Sequence, residues 1–389
     1  MKFAQRLDAQ RDIHWFSVGQ LVRAKEAEGI DVISLSSGNP DLPTPPGVVD
    51  ALRQAALEPT YHRYPFSFHT ELRQAIAAWY RRRFGVELDP ATEVHPLAGS
   101  QAGIGNLGLA VLEPGAMAVV PDPAYGSYAR AVEFAGGEVY RLRLQREGGY
   151  LPDLSTIPDE VLARTRLLWL NYPHNPTGAV APLSFFEEVV AFAREHQILV
   201  CHDNAYSETV YDGYVAPSFL AVEGAKEVGI ELNTLSKAFN MAGWRIGMAV
   251  GNPEVLEALS QVDWNTSMGL FGPAQLAAIK ALTDDQSWLT ERNRVYQERR
   301  DIVVEGLRAI GLDVPYPKAT LYVWAKLPEK YPDSKAFSMN VLDQVGVWLT
   351  SGVFFGQGGE GYVRTSLTEP TERLREAMER LKNLDLELI

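Results

Sequence analysis

Lys237 lies among small hydroxyl and apolar residues in the run Asn233 to Gly247 (NTLSKAFNMAGWRIG), and Arg245 follows eight positions later beside two glycines. An amine and a guanidinium at that spacing suit a ligand that carries both an aldehyde and an anion. The amine would form a Schiff base with the aldehyde, and the guanidinium would grip a phosphate through paired hydrogen bonds. Pyridoxal 5′-phosphate (PLP) carries both groups. Alone, Lys237 reads first as a lysine in a polar loop near a helix start, with Arg245 solvated beside it.

Four other stretches could supply what such a cofactor needs. Asp203 closes the apolar run Ile198–Cys201, and a carboxylate there could pair with a pyridine nitrogen and keep it protonated. A strand-end aspartate is also a common cap or turn former. In Asn171–Gly178 (NYPHNPTG) two steps into proline restrict the backbone to extended and turn conformations, so an asparagine in that loop is rigidly aimed. Turn chemistry alone gives a similar composition. Gly99-Ser100-Gln101-Ala102-Gly103 opens an apolar helical period, and a helix start of this kind offers free N–H groups to a phosphate. Arg364, in Gly361–Leu367 (GYVRTSL), falls inside a β-patterned segment, where a charge needs a partner. An amino-acid α-carboxylate gripped bidentately is one such partner, and an internal Asp or Glu is the other.

Together these stretches resemble the class I/II aminotransferases, the fold type I family of PLP enzymes. The resemblance implies that Lys237 is the Schiff-base lysine and Arg245 a phosphate ligand. Asp203 would pair with the ring nitrogen, with Tyr206 hydrogen-bonding the cofactor's phenolic oxygen. PHNPTG is similar to the family's NPNNPTG loop and gives Asn175 the contact to the same oxygen. Ser100, Gln101 and Ala102 fall at the phosphate cup, Thr234 would add a hydroxyl, and Tyr125 takes the place of the ring stacked on the pyridine. Gly38 and Arg364 correspond to the substrate-lining glycine and the carboxylate-binding arginine, with Asn175 also at the substrate. Tyr64 matches the tyrosine that reaches the phosphate of a neighbouring subunit, which implies a homodimer with shared active sites. The loop Phe66–Arg73 departs from the pattern: it is about one residue short, with His69 near an expected glycine.

These residues must be carried by a scaffold. From about residue 46 to 282 short apolar runs alternate with helical periods, the mark of a parallel α/β sheet. Met117–Val120, Leu167–Leu170 and Ile198–Cys201 are continuously apolar, as strands buried on both faces should be, and each ends in polar residues or prolines. Functional groups of open α/β sheets gather at the carboxyl ends of strands. A helix with a capping-box start at Ser184 is expected to run to about His196. Beyond residue 282 a long charged helix (289–310, stopped by Gly311) precedes strands at 321–325, 347–349 and 362–366 and a last helix at 371–384. The reading is a large PLP-binding domain (46–282) whose mostly parallel sheet is sandwiched by helices. A smaller α+β domain (283–389) packs with an N-terminal arm (1–45) carrying a helix near 18–28 and an extended loop at 33–41.

At 389 residues the chain can bury a large core, and its formal charge of −13 argues against a nucleic-acid partner. The first residues lack the apolar region of a signal peptide, and no run is long enough to span a membrane. Cys201 is the only cysteine, so no intrachain disulfide can form, and a cytoplasmic setting is expected. The seven histidines show no metal-ligand spacing. The expected activity is transfer of an amino group between an L-amino acid and a 2-oxoacid by a ping-pong mechanism. Within the family the chain resembles bacterial LL-diaminopimelate and aspartate-aminotransferase-like members, so diaminopimelate, aspartate, alanine and glutamate are candidate donors. It departs from the diaminopimelate members at Gly99–Gly103 (theirs is GSKEG), at Asn233 (theirs is histidine) and across Asn265–Gln275. A PLP-dependent C–S lyase or decarboxylase of the same fold would need the same lysine and aspartate. A PLP-sensing regulator domain would need a basic DNA-binding module, for which 45 N-terminal residues are too few.

Overall fold

The computed structural model describes residues 4–7, 14–65 and 70–385. Its centre is a seven-stranded sheet in the order Val94–Leu97, Gly247–Gly251, Gly229–Thr234, Leu199–Asp203, Thr165–Asn171, Met117–Asp122, Glu138–Arg143. All strands run parallel except Gly247–Gly251, which is antiparallel to both neighbours. The three strands expected from continuous apolar runs are present and buried on both faces. Two apolar clusters cover the two sides of this sheet, one built on Trp79, Phe186 and Phe219, the other on Leu107, Tyr128 and Trp169. Tyr128 stacks on Trp169 with centroids 4.9 Å apart, an aromatic pair contributing about 1 kcal/mol beyond its buried area.

A third cluster surrounds an antiparallel sheet of Thr350–Ser351, Tyr362–Ser366 and Tyr322–Lys326. The helix Trp288–Ala309 packs on it and is closed by Gly311 at φ 87°, as its sequence predicts. Ile33–Ser34 pairs with Val347–Trp348, so the loop before Gly38 is anchored to this region and not to the main sheet. The helix His14–Ala27 begins four residues before its expected start, and the last helix closes at Leu381 instead of 384.

One capping expectation fails. The helix Leu183–His196 takes Pro182 as its N-cap, and Ser184 makes no cap. Proline's fixed φ supplies the entry geometry two residues before the serine could. Among the described residues, no helix is long and apolar enough to cross a membrane.

Candidate active site

At the carboxyl ends of the parallel strands a cavity of about 480 Å³ opens between the main sheet and the segment around Tyr322 and Arg364. It brings together Gly38, Ser100, Gln101, Tyr125, Asn175, Asp203, Tyr206, Thr234, Lys237, Arg245 and Arg364, which the sequence scatters over more than three hundred positions.

Lys237 sits on the single helical turn Leu235–Ala238, which follows the strand Gly229–Thr234 directly. Its Nζ donates to the carbonyl of Gly38. Burial lowers its pKa, and Arg245 and Arg364 push the same way against Tyr322 and Asp203. A lysine so placed is a better base at neutral pH than a solvated one. The turn is held from outside by Arg292, whose guanidinium donates to the carbonyls of Lys237 (2.9 Å), Ala238 and Glu208. Arg292→Ala should take this donor from the Lys237 and Ala238 carbonyls, at about 1–3 kcal/mol for each, while the Glu208 carbonyl keeps Asn293 Nδ2 at 2.9 Å. A clear fall in Tm, measured by calorimetry, is the expected result.

Asp203 ends its strand as foreseen. Tyr128 donates to its Oδ2 at 2.8 Å, while Oδ1 is buried without a protein partner. Burial raises the carboxyl's pKa, with the Tyr128 hydrogen bond and His202 acting in the opposite sense. An unpaired buried carboxylate oxygen facing a cavity is suited to a cationic N–H from a ligand. Tyr125 donates to Gln101 Oε1 at 3.0 Å and lies edge-on to Tyr128.

Gly99 (φ 84°) precedes the helix Ser100–Val111, and a Cβ there would meet Arg245 Nη2 at 2.5 Å. Only glycine lets this backbone and the Arg245 guanidinium share one anion-sized cradle. Two details differ from expectation. The Ala102 amide donates to the Gly99 carbonyl (3.1 Å) inside the first turn, and Ala102 does not line the cavity. Thr234 Oγ1 accepts from the Ser236 amide as the cap of the lysine's turn and also bonds Ser236 Oγ and the Ile246 carbonyl. Capping a four-residue turn occupies that hydroxyl, so Ser236, beside it in the cavity, is the freer one.

Asn175 and Arg364 meet directly: Arg364 Nη1 donates to Asn175 Oδ1 at 2.9 Å, and Nη2 donates to the Ser36 carbonyl at 2.7 Å. At 2% exposure the guanidinium is held between the rings of Tyr322 (4.0 Å) and Phe355 (4.6 Å). Lysine could not reproduce that planar, doubly stacked fork. Arg364→Lys is expected to raise KM for the amino acid about 10- to 100-fold, more than it lowers kcat, as steady-state kinetics would report.

Tyr64 is not brought to this cavity. It is 73% exposed, just after the short turn Pro59–His62. Phe66–His69, the irregular part of the Phe66–Arg73 loop, lies outside the described residues.

Sequence reasoning missed Asn171, Tyr128 and Tyr322. Asn171 Nδ2 donates to the Asp203 carbonyl (2.7 Å) and its Oδ1 accepts from the Asn175 amide (2.8 Å), locking two site loops together. The polar end of its apolar strand was the available signal. Neither tyrosine had a local signal, since both fall in ordinary apolar patterns. His202 and Glu231, fully buried and 2.8 Å apart, form a network with Tyr80, Asn204 and Ser218 behind Asp203. Among the described residues, no cluster of His, Cys, Asp or Glu is placed to hold a metal ion.

An unpaired buried carboxylate oxygen, a glycine-lined anion cradle and a desolvated lysine in one cavity fit PLP, and on this parallel sheet they define a fold type I PLP-dependent transferase. The model of the class I and II aminotransferases matches residues 30–381, and the chain belongs to that family. A protein of Dehalococcoides mccartyi named LL-diaminopimelate aminotransferase is 48% identical over 387 residues, covering 98% of this chain and 99% of its own length. A Moorella thermoacetica protein of the same name is 50% identical over 366 residues, 94% of this chain and 93% of that one. Among solved structures, apo-BacF from Bacillus subtilis superposes with a TM-score of 0.95 at 41% identity, covering 99% of both chains. The protein is thus a PLP-dependent enzyme of the transaminase class, acting on amino acids and 2-oxoacids.

Proposed function

We propose that this enzyme transfers the amino group of LL-diaminopimelate to a 2-oxoacid, using the residues gathered around Lys237. The reading is carried by one observation: relatives with that printed name match at 48% and 50% identity along nearly the whole chain. Among the described residues, the guanidinium groups of this chain that line the cavity are Arg245 and Arg364, one for a phosphate and one for an α-carboxylate.

PLP, when bound, supplies an aldehyde for the amino group and a protonated ring that accepts the electron pair left on Cα. Arg364, with Asn175 beside it, holds the α-carboxylate and so fixes which bond at Cα is presented. Lys237 Nζ is the base that takes the Cα proton. Asp203 keeps the ring nitrogen protonated, and Tyr206 donates to the phenolic oxygen. Ser100, Gln101, Ser236 and Arg245 hold the phosphate, Tyr125 covers the ring, and Gly38 leaves room for the substrate.

We assign the residues around the cavity to a large domain (46–282) and a smaller one (283–389) packed with the arm 1–45. A homodimer is supported by the exposure of Tyr64, Met268 and Phe271, on segments that meet where Gly269 abuts Pro65 and Gly272 abuts Tyr61. Such an apolar face suits a second copy whose site Tyr64 completes. The lone, buried Cys201 suits the cytoplasm.

The test is the absorbance of the bound cofactor after adding each of LL-diaminopimelate, aspartate, alanine and glutamate. LL-diaminopimelate should convert it with a rate constant per molar at least about 10-fold above the others. A larger value for any of the other three would assign the donor differently.

A further inference from the structure

Tyr322 lines the cavity with no role assigned above, yet it touches three residues that have one. It starts the strand Tyr322–Lys326 and is 4% exposed. Thr320 Oγ1 bonds both its amide (3.2 Å) and its carbonyl (3.3 Å), which fixes the backbone entering the strand. Its hydroxyl is 3.1 Å from that of Tyr206, with the two rings edge to face. Its ring lies under the Arg364 guanidinium at 4.0 Å. Against Gly38 it packs so closely that a Cβ would stand 1.9 Å from the hydroxyl oxygen and 2.9 Å from Cζ. The glycine whose carbonyl accepts from Lys237 is therefore also the one that admits this phenol.

Charge distinguishes the two hydroxyls. Burial pushes the Tyr322 phenol up, but Arg364, Lys237 and the Tyr206 hydrogen bond together bring it below the usual tyrosine range. Tyr206 is pushed well up by burial and by Tyr322, against Arg364. One hydrogen bond joins the two hydroxyls and either oxygen can donate, so the Tyr322 hydroxyl fixes how the Tyr206 hydroxyl is oriented in the cavity.

We propose that Tyr322 is a positioning residue with two separable parts: its ring holds the Arg364 guanidinium flat for a carboxylate, and its hydroxyl holds the Tyr206 hydroxyl in place for the cofactor's phenolic oxygen. This rests on the roles given above to Tyr206 and Arg364. Tyr322→Phe keeps the ring and removes the hydroxyl, whereas Tyr322→Leu removes both.

The experiment compares holoenzymes of the parent, both variants and Tyr206→Phe. The pH titration of the cofactor's visible absorbance is followed alongside kcat and KM for the amino acid. The charged and titratable groups facing the pair are Lys237, Arg364, Asp203 and Tyr125, and all are retained. Tyr322→Phe should shift the titration by about half a pH unit or more and lower kcat about 3- to 10-fold, with KM nearly unchanged. Tyr322→Leu should show the same shift and, in addition, a KM raised about 10-fold or more. A Tyr322→Phe enzyme that titrates and turns over like the parent overturns the hydroxyl's part. A Tyr322→Leu enzyme with the KM of Tyr322→Phe overturns the ring's part. If Tyr206→Phe also leaves the titration unmoved, the Tyr206 assignment itself fails, and the hydroxyl's part falls with it.

Discussion

Replacing Lys237 by alanine is expected to lower kcat by on the order of 10⁴-fold or more, while the protein still folds and still retains the cofactor. The side chain makes one protein hydrogen bond, to the Gly38 carbonyl, so its loss leaves the main sheet and its cores untouched. Ser100, Gln101, Asp203 and Arg245 remain to hold the ligand. The expected signature is therefore loss of turnover without loss of Tm. Added methylamine should restore part of the rate, since it can act as a diffusing base in the space the lysine vacates. Unchanged turnover in Lys237→Ala would remove the base from the account.

Asp203→Asn is expected to lower kcat by about 10²–10³-fold, because an amide cannot keep the ring nitrogen protonated. The same change should stabilise the cofactor-free protein. Burial raises the Asp203 carboxyl above its unfolded pKa of about 3.9, so the folded chain binds more protons than the unfolded one above that value. Stability from this group is complete below the unfolded pKa and falls as pH rises toward the folded one. Cofactor-free Asp203→Asn should then have a higher Tm than the parent at neutral pH, a gap that closes as pH approaches about 4. Adding PLP should raise the Tm of the parent more than that of the variant, since only the parent offers its unpaired oxygen to a cationic ring. Melting curves at several pH values with and without PLP would read both effects. A variant that melts below the parent at neutral pH would mean that the carboxylate is already compensated within the protein.

The parts of this molecule legible in its sequence are those where local pattern and chemistry coincide. Leu167–Leu170 and Ile198–Cys201 read as buried strands because they are continuously apolar, and Asp203 stood out by ending the second. The Lys237–Arg245 spacing was legible because a positive-φ arginine and its flanking glycines sit in one short turn. Val94–Leu97 and Glu138–Arg143 were not, since edge strands tolerate His95, Pro96 and the alternating charges of 138–143. Gly229–Thr234 hides a strand behind Glu231, whose carboxylate is buried only because Tyr80, His202, Asn204 and Ser218 bond it from distant segments. Tyr128 and Tyr322 belong to the same class. A tyrosine in an apolar pattern looks like core until the fold aims its hydroxyl at a carboxylate or at another phenol.

The central claim is that Lys237, and no other lysine, carries the cofactor. Borohydride reduction of the PLP-loaded protein fixes the cofactor to its lysine, and proteolysis with mass spectrometry then locates the added mass. One modified peptide per chain, containing Lys237, is the predicted result. Modification of a different lysine, or no modification of a protein saturated with PLP, would contradict it.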